Sequence, residues 1–311
     1  MAKNWSVLLL GIAILTALVC VSSLLLDDEL DYGLLAQLNL DHPVPLLDDL
    51  MIAVTKYSIP GFVLVLLSWF VASRFSVRND ASHRLSVRAL RALGVVGGCA
   101  TASAALWAGR ELPGAMVLTG ILLATGFWLV SRSLPKPGDA ESAARVRLAF
   151  LLTILAVLLA ELSAEVVVKQ FVSRARPLHR THVQYRHALR RLDDEAPKRG
   201  NSYVSGHAVF FFAAVTPLVL LARRRSTRVA LGAWAVAVAY SRLYVAAHFL
   251  TCVVVGAAMG IGIGLAVVVT LAPAALPFIG NRSRRPRIPA SACAPAGPRC
   301  GTCPLCRAQQ T

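Results

Sequence analysis

Long uncharged apolar runs recur along this chain, and no other feature of the sequence restricts its fold so tightly. A bilayer's hydrocarbon core, about 30 Å thick, takes about 20 helical residues to cross. Backbone in lipid must satisfy its own hydrogen bonds, so each such run is read as a helix. Runs of this kind lie near residues 5–26, 51–73, 92–109, 115–131, 148–168, 208–222, 226–241 and 248–274. With 56% hydrophobic residues over 311 positions and a mean hydropathy of +0.62, a soluble domain is excluded. The expected architecture is all-α, a polytopic membrane helix bundle with about eight spans in residues 1–278. Residues 279–311, rich in Arg, Pro and Cys, form a cytoplasmic tail with too little apolar content for a core. The run at 5–26 is too long for a signal peptide, and no small-x-small cleavage site follows it before Asp27. The third and fourth runs, loosened by Gly94, Gly97, Gly98 and Gly109, also fit a single re-entrant hairpin.

Charge sets the expected orientation. Residues 27–49 hold seven acidic and no basic side chains, whereas 74–91, 132–147, 223–228 and the tail from Arg282 are Arg-rich. The positive-inside rule then places both termini and the Arg-rich segments in the cytoplasm. Most of the net charge of +16 is topological, and no nucleic-acid partner is needed to account for it. The loop from Lys169 to Ser205 breaks the pattern. It falls outside, yet it carries Lys169, Arg174, Arg176, Arg180, Arg186, Arg190, Arg191, Lys198 and Arg199. Cations kept on the outer face against the topological bias point to an anionic ligand.

Three short patterns stand at the outer ends of the later runs: Lys169-x6-Arg176-Pro177, Ser205-Gly206-His207 and Ser241-Arg242-x5-His248. Their chemistry is that of phosphoryl transfer, in which charge spread over equatorial oxygens is met by fixed cations and backbone N–H groups. Lys169, Arg176 and Arg242 supply the cations, and Arg suits bidentate contact with phosphate. Ser205 and Gly206 precede an apolar helix whose amino end favours an anion. His207 and His248 are the side chains suited to proton transfer and nucleophilic attack near neutral pH. Any one of these residues alone reads equally well as an interfacial, snorkelling cation or a capping histidine.

Together, in this order and spacing, the three patterns resemble the type 2 phosphatidic acid phosphatase superfamily over residues 148–274. The resemblance implies a six-helix phosphatase core, here with an extra hairpin, and no metal or other cofactor. It also implies roles: His248 attacks phosphorus to give a phosphohistidine and His207 protonates the leaving oxygen. Lys169, Arg176, Ser205, Gly206 and Arg242 bind phosphate. His179, His182 and His187 in the outer loop lack the spacing of a metal site.

The chain departs from that pattern at two places. Cys252 stands where the resemblance implies an acid, one helical turn after His248, to orient the imidazole and stabilise its charge; a thiol is a weak substitute. No Asp or Glu follows Glu195 in the sequence, so a surrogate has to come across space from Glu161, Glu165, Asp193, Asp194 or Glu195. Glu165, four residues before Lys169, is expected to pair with it. Without a surrogate, Cys252→Asp should raise activity; with one, it should be neutral or harmful. Val204 replaces a proline of the pattern, which presets backbone angles and carries no chemistry. In the tail, the run Cys300-x2-Cys303-x2-Cys306, preceded by Cys293, has a spacing that can hold zinc or part of an iron–sulfur cluster; with no domain around it, it reads first as reduced thiols in an unstructured segment.

The expectation is a cell-membrane lipid phosphatase acting on a phosphorylated lipid at the outer face, a polyprenyl diphosphate such as undecaprenyl diphosphate being favoured. The alternative is a catalytically impaired relative that binds, senses or transports phosphorylated lipid with the same cations.

Overall fold

The computed structural model describes residues 2–23, 27–39, 43–107, 113–178, 189–190, 192 and 200–272. The tail and most of the outer loop, including His179, His182, His187, Arg186, Asp193, Asp194 and Glu195, lie outside the described residues. Helices are the only extended regular elements among those described. They are α1 (Ala2–Ser22), α2 (Asp28–Leu38), α3 (Pro45–Ser76), α4 (Asp80–Trp107), α5 (Pro113–Arg132), α6 (Ala140–Glu161), α7 (Gly206–Leu221), α8 (Arg225–Tyr244) and α9 (Leu250–Leu271). Beyond α6 the helix continues as a π-helical segment, Leu162–Val168, and one last turn, Lys169–Phe171.

Among the described residues, each of the eight expected runs lies mainly in a helix, and α2 is a further, short helix with no long apolar run. Among the described residues, four helical segments are long and apolar enough to cross a membrane: Trp5–Ser22, Pro45–Ser76, Ala140–Phe171 and Leu250–Leu271. Val117–Arg132 and Gly206–Leu221 are apolar but shorter. The outward faces are apolar, as the exposed side chains of Leu10, Leu18, Leu158 and Val254 illustrate. A helix that shows Leu to its surroundings along its length suits lipid.

α7 packs against α9, α6 and α8, α9 also packs against α1 and α6, and α3 joins this group to the α4–α5 pair. Val54, Phe211, Val215, Ala235 and Val238 fill the space between α3, α7 and α8. The α7–α9 seam depends on glycine. A Cβ added at Gly260 would lie 2.6 Å from the Val209 carbonyl and 2.8 Å from the Ala213 nitrogen, and one at Gly256 would lie 3.0 Å from the Ser205 carbonyl. Small residues at this four-residue spacing let two backbones approach, as in packed membrane helices.

The close approach brings chain ends together. Lys169 ends α6, Gly206 starts α7, Arg242 lies near the end of α8, and α9 starts just after His248. The end of α1 joins them, where the Tyr203 hydroxyl donates to the Val19 carbonyl at 2.9 Å and pairs with the Ser22 hydroxyl at 2.7 Å. The Arg-rich segments at 132–147 and 223–228 lie at the other ends of α6, α7 and α8.

Candidate active site

The second motif is held by a small polar side chain between the two loops. Asn201 Oδ1 accepts from the Arg174 and Tyr203 amides at 3.2 and 2.9 Å, and Asn201 Nδ2 donates to the carbonyls of Lys169 and Val172. The Ser202 amide donates to the Arg174 carbonyl at 2.7 Å. These bonds hold the chain after Lys169 against the chain before α7, so the first two motifs share one frame. Neither Asn201 nor Ser202 was singled out in the sequence, since both read there as loop residues.

Ser205 caps the entry to α7 with an extended backbone. Its amide donates to the Cys252 carbonyl at 3.1 Å, so one of the two N–H groups expected to face an anion is already engaged. Its hydroxyl is buried and has no hydrogen-bond partner among the described residues. Gly206 is crowded by Glu165, whose Oε1 would lie 3.1 Å from a Cβ there. Glu165 pairs with Lys169 as its spacing implied.

The third motif turns back sharply. The amides of Ala247 and His248 both donate to the Arg242 carbonyl, at 3.0 and 3.3 Å, and Ala246 takes a left-handed φ of 51° to allow it. Non-glycine residues seldom adopt that conformation. The turn folds His248 back toward the guanidinium of its own motif, and both residues are buried. The charges of Arg242 and Arg176 act on both His207 and His248, that of Lys169 acts on His207, and His207 acts on His248. Fixed positive charge from the first and third motifs therefore converges on the two imidazoles.

Arg176 donates to the Ala247 carbonyl at 3.4 Å, while its buried Nε has no hydrogen-bond partner among the described residues. Burial draws its guanidinium below the ordinary value. An uncommitted donor on a desolvated cation is the arrangement that an incoming phosphate oxygen satisfies.

The ring orientations follow from carbonyl partners. His248 Nδ1 lies 2.8 Å from the Ser202 carbonyl, which can only accept, so Nδ1 carries the hydrogen. The Nε2 lone pair is left for a nucleophile's role. By the same reasoning His207 Nε2, 3.2 Å from the Thr55 carbonyl on α3, is the protonated nitrogen and Nδ1 is the atom that can hold or release a further proton.

At position 252 the thiol is fully buried, 3.5 Å from Arg174 Nη1 and 3.6 Å from the Ser202 hydroxyl. Of the surrogate acids named from sequence, Asp193, Asp194 and Glu195 lie outside the described residues, and neither Glu161 nor Glu165 makes a described contact with the thiol. The carboxylates there belong to α2: Asp31 accepts from Arg174 Nη1 at 2.8 Å, and Asp28 accepts from Nη2 at 2.6 Å. This cross-chain supply had no signal in motif spacing. The sequence showed only that 27–49 is acidic. No group of His, Cys, Asp and Glu able to hold a metal ion occurs among the described residues.

Compared with known proteins, residues 147–274 match the family model described as the PAP2 superfamily. No curated protein and no solved structure matches the chain. The matched stretch holds all three motifs and both histidines. Over residues 147–274 the chain is therefore similar to the type 2 phosphatidic acid phosphatase superfamily.

Proposed function

We propose that this protein is a membrane phosphatase that hydrolyses a lipid phosphate or diphosphate through a phosphohistidine on His248. Similarity to the superfamily points to phosphatase-type chemistry on phosphorylated substrates. The observation that carries the finer reading is the ring state of His248: Nδ1–H is engaged by the Ser202 carbonyl, and Nε2 is free to attack amid positive charge from Arg176 and Arg242.

In this reaction His248 Nε2 forms a bond to phosphorus as the bond to the leaving oxygen breaks, and His207 gives that oxygen a proton. A water molecule then attacks the phosphohistidine, His207 takes the water's proton, and inorganic phosphate leaves with Nε2 restored. Lys169, Arg176, Arg242 and the start of α7 balance the charge of the phosphoryl oxygens. The site stands at the ends of apolar helices, which suits a ligand whose tail stays in lipid while its phosphate reaches the cations. We assign it to the outer face, opposite the Arg-rich segments, with a polyprenyl diphosphate as the favoured substrate.

The test is phosphate release by the purified protein in detergent from a panel of polyprenyl diphosphate, phosphatidic acid and phosphatidylglycerol phosphate, with 31P detection of a phosphohistidine on rapid quenching. Tight binding of these lipids without turnover would support the alternative, a binding or sensing relative impaired by Cys252.

A further inference from the structure

We propose that the Asp31–Arg174 pair, contributed jointly by α2 and the loop after Lys169, is the positioning element for His248, in the place of an acid at residue 252. The inference rests on the reading of His248 as nucleophile and adds Asp31, a residue outside the stretch that matches the superfamily.

Arg174 brackets His248 from both sides. Its backbone carbonyl holds the Ser202 amide at 2.7 Å, and the Ser202 carbonyl in turn holds His248 Nδ1 at 2.8 Å. Its guanidinium reaches the residues that follow. It lies 4.0 Å from the centre of the Phe249 ring, donates to the Thr251 hydroxyl at 2.8 Å and to Cys252 Sγ at 3.5 Å. One side chain thereby fixes the turn in which His248 sits. The fork of the guanidinium permits this, since its donors point in fixed directions.

Asp31 fixes Arg174. It is 1% exposed and accepts from Arg174 Nη1 at 2.8 Å, from the Thr251 hydroxyl and from the Thr251 amide at 3.3 Å. The last bond satisfies an otherwise open N–H at the start of α9, the service a capping residue normally performs from within the chain. A buried carboxylate with three donors is a fully used one, and removing it leaves the buried guanidinium without its main counter-charge. Asp28 reaches Arg174 as well but is half exposed, and it serves as an auxiliary partner. Tyr32 completes the attachment of α2, its hydroxyl donating to the Pro177 carbonyl at 2.9 Å and its ring set edge-on to Phe249.

Position 252 is thus occupied by a neutral side chain because the carboxylate beside Arg174 comes from α2. A carboxylate at 252 would be within reach of the same guanidinium, so the two arrangements should substitute for each other. Adding one to the other should bring no gain, since it places a third acid around one cation.

The experiment measures kcat and KM for phosphate release from a short-chain polyprenyl diphosphate in detergent, and the affinity for orthovanadate by calorimetry, in wild type, Asp31→Asn, Cys252→Asp and the double variant. Residues in direct contact couple strongly enough for effects of roughly 10-fold. Asp31→Asn should lower kcat by about 10-fold or more while orthovanadate affinity stays within about threefold. The double variant should recover most of that loss, and Cys252→Asp alone should bring no gain. A purely structural role would move KM and vanadate affinity together with kcat and would give no rescue. Unchanged kcat in Asp31→Asn, a double variant as slow as Asp31→Asn, or a gain from Cys252→Asp alone would each overturn the proposal. If Asp31→Asn does not fold, Arg174→Lys takes its place, with the same expected loss of kcat at retained orthovanadate affinity. If wild type turns over none of these lipids, the proposed function fails and this inference is still decided by 15N NMR. The His248 Nδ1 proton should exchange slowly in wild type and faster in Asp31→Asn; equal exchange would overturn it.

Discussion

The chemistry of the site comes down to which atom of each side chain is already committed. His248 Nδ1 is bonded to the Ser202 carbonyl and His207 Nε2 to the Thr55 carbonyl, so a different nitrogen of each ring is left over. On this assignment His248→Ala removes the covalent route and should leave no phosphohistidine in rapid-quench 31P spectra. His207→Ala should lower kcat by roughly 10²- to 10⁴-fold, the usual contribution of a positioned acid or base. A substrate with a better leaving group should recover part of the His207→Ala loss, because it needs less protonation. Glu165 is a different case, since it engages Lys169 and is half exposed. Exposed ion pairs contribute at most about 1 kcal/mol, so Glu165→Gln should tighten orthovanadate binding by no more than about fivefold. A weaker affinity in that variant would show that the carboxylate positions Lys169 and does not compete with phosphate for it.

At the scale of elements, the α7–α9 seam decides whether the motifs meet. Gly256 and Gly260 let α9 approach α7 until the Ser205 amide reaches the Cys252 carbonyl, and that contact sets the start of one helix against the first turn of the other. A Cβ at residue 260 would have backbone atoms of Val209 and Ala213 in its way, and backbone cannot rotate aside as a side chain can. Gly260→Val should therefore destabilise the protein by about 1–3 kcal/mol, the usual cost of overpacking, read as a lowered unfolding midpoint in detergent. Gly232 has nothing within 4 Å of its would-be Cβ. Gly232→Ala should be neutral or stabilising, by up to about 1 kcal/mol, because alanine loses less backbone freedom in a helix. The π-helical segment before Lys169 belongs to this scale too; such segments recur at functional sites, and here it carries Glu165 to the residue whose charge it meets.

For the whole molecule, the candidate site and the Arg-rich segments at 132–147 and 223–228 occupy opposite ends of α6, α7 and α8, and this opposition supports the proposal that the site faces outside. In a background freed of the reactive native cysteines, Leu30→Cys on the exposed face of α2 should react with an impermeant reagent in intact cells, and Ser226→Cys should not. Labelling of residue 226 from outside would put the site in the cytoplasm. Much of this was legible in the sequence. Apolar run length indicates helices, because lipid leaves the backbone no other partner, and charge alternation suggests their orientation. The spacing of Lys169, Arg176, Ser205, His207, Arg242 and His248 named the candidate site, since each sits at or just beyond a helix end. The number of crossings was less legible: four segments meet both length and apolarity, while the other runs lie in helices that are shorter or carry charge. What the sequence could not supply was the surroundings of Cys252. Asp31 and Arg174 are separated by more than 140 positions, Asp31 lies in a short acidic helix with no motif, and Arg174 lies between two motif residues without belonging to either. Periodicity reports only on neighbours along a helix. A carboxylate that reaches its partner through folding leaves no spacing to read, and only packed helices could decide which acid stands beside Arg174.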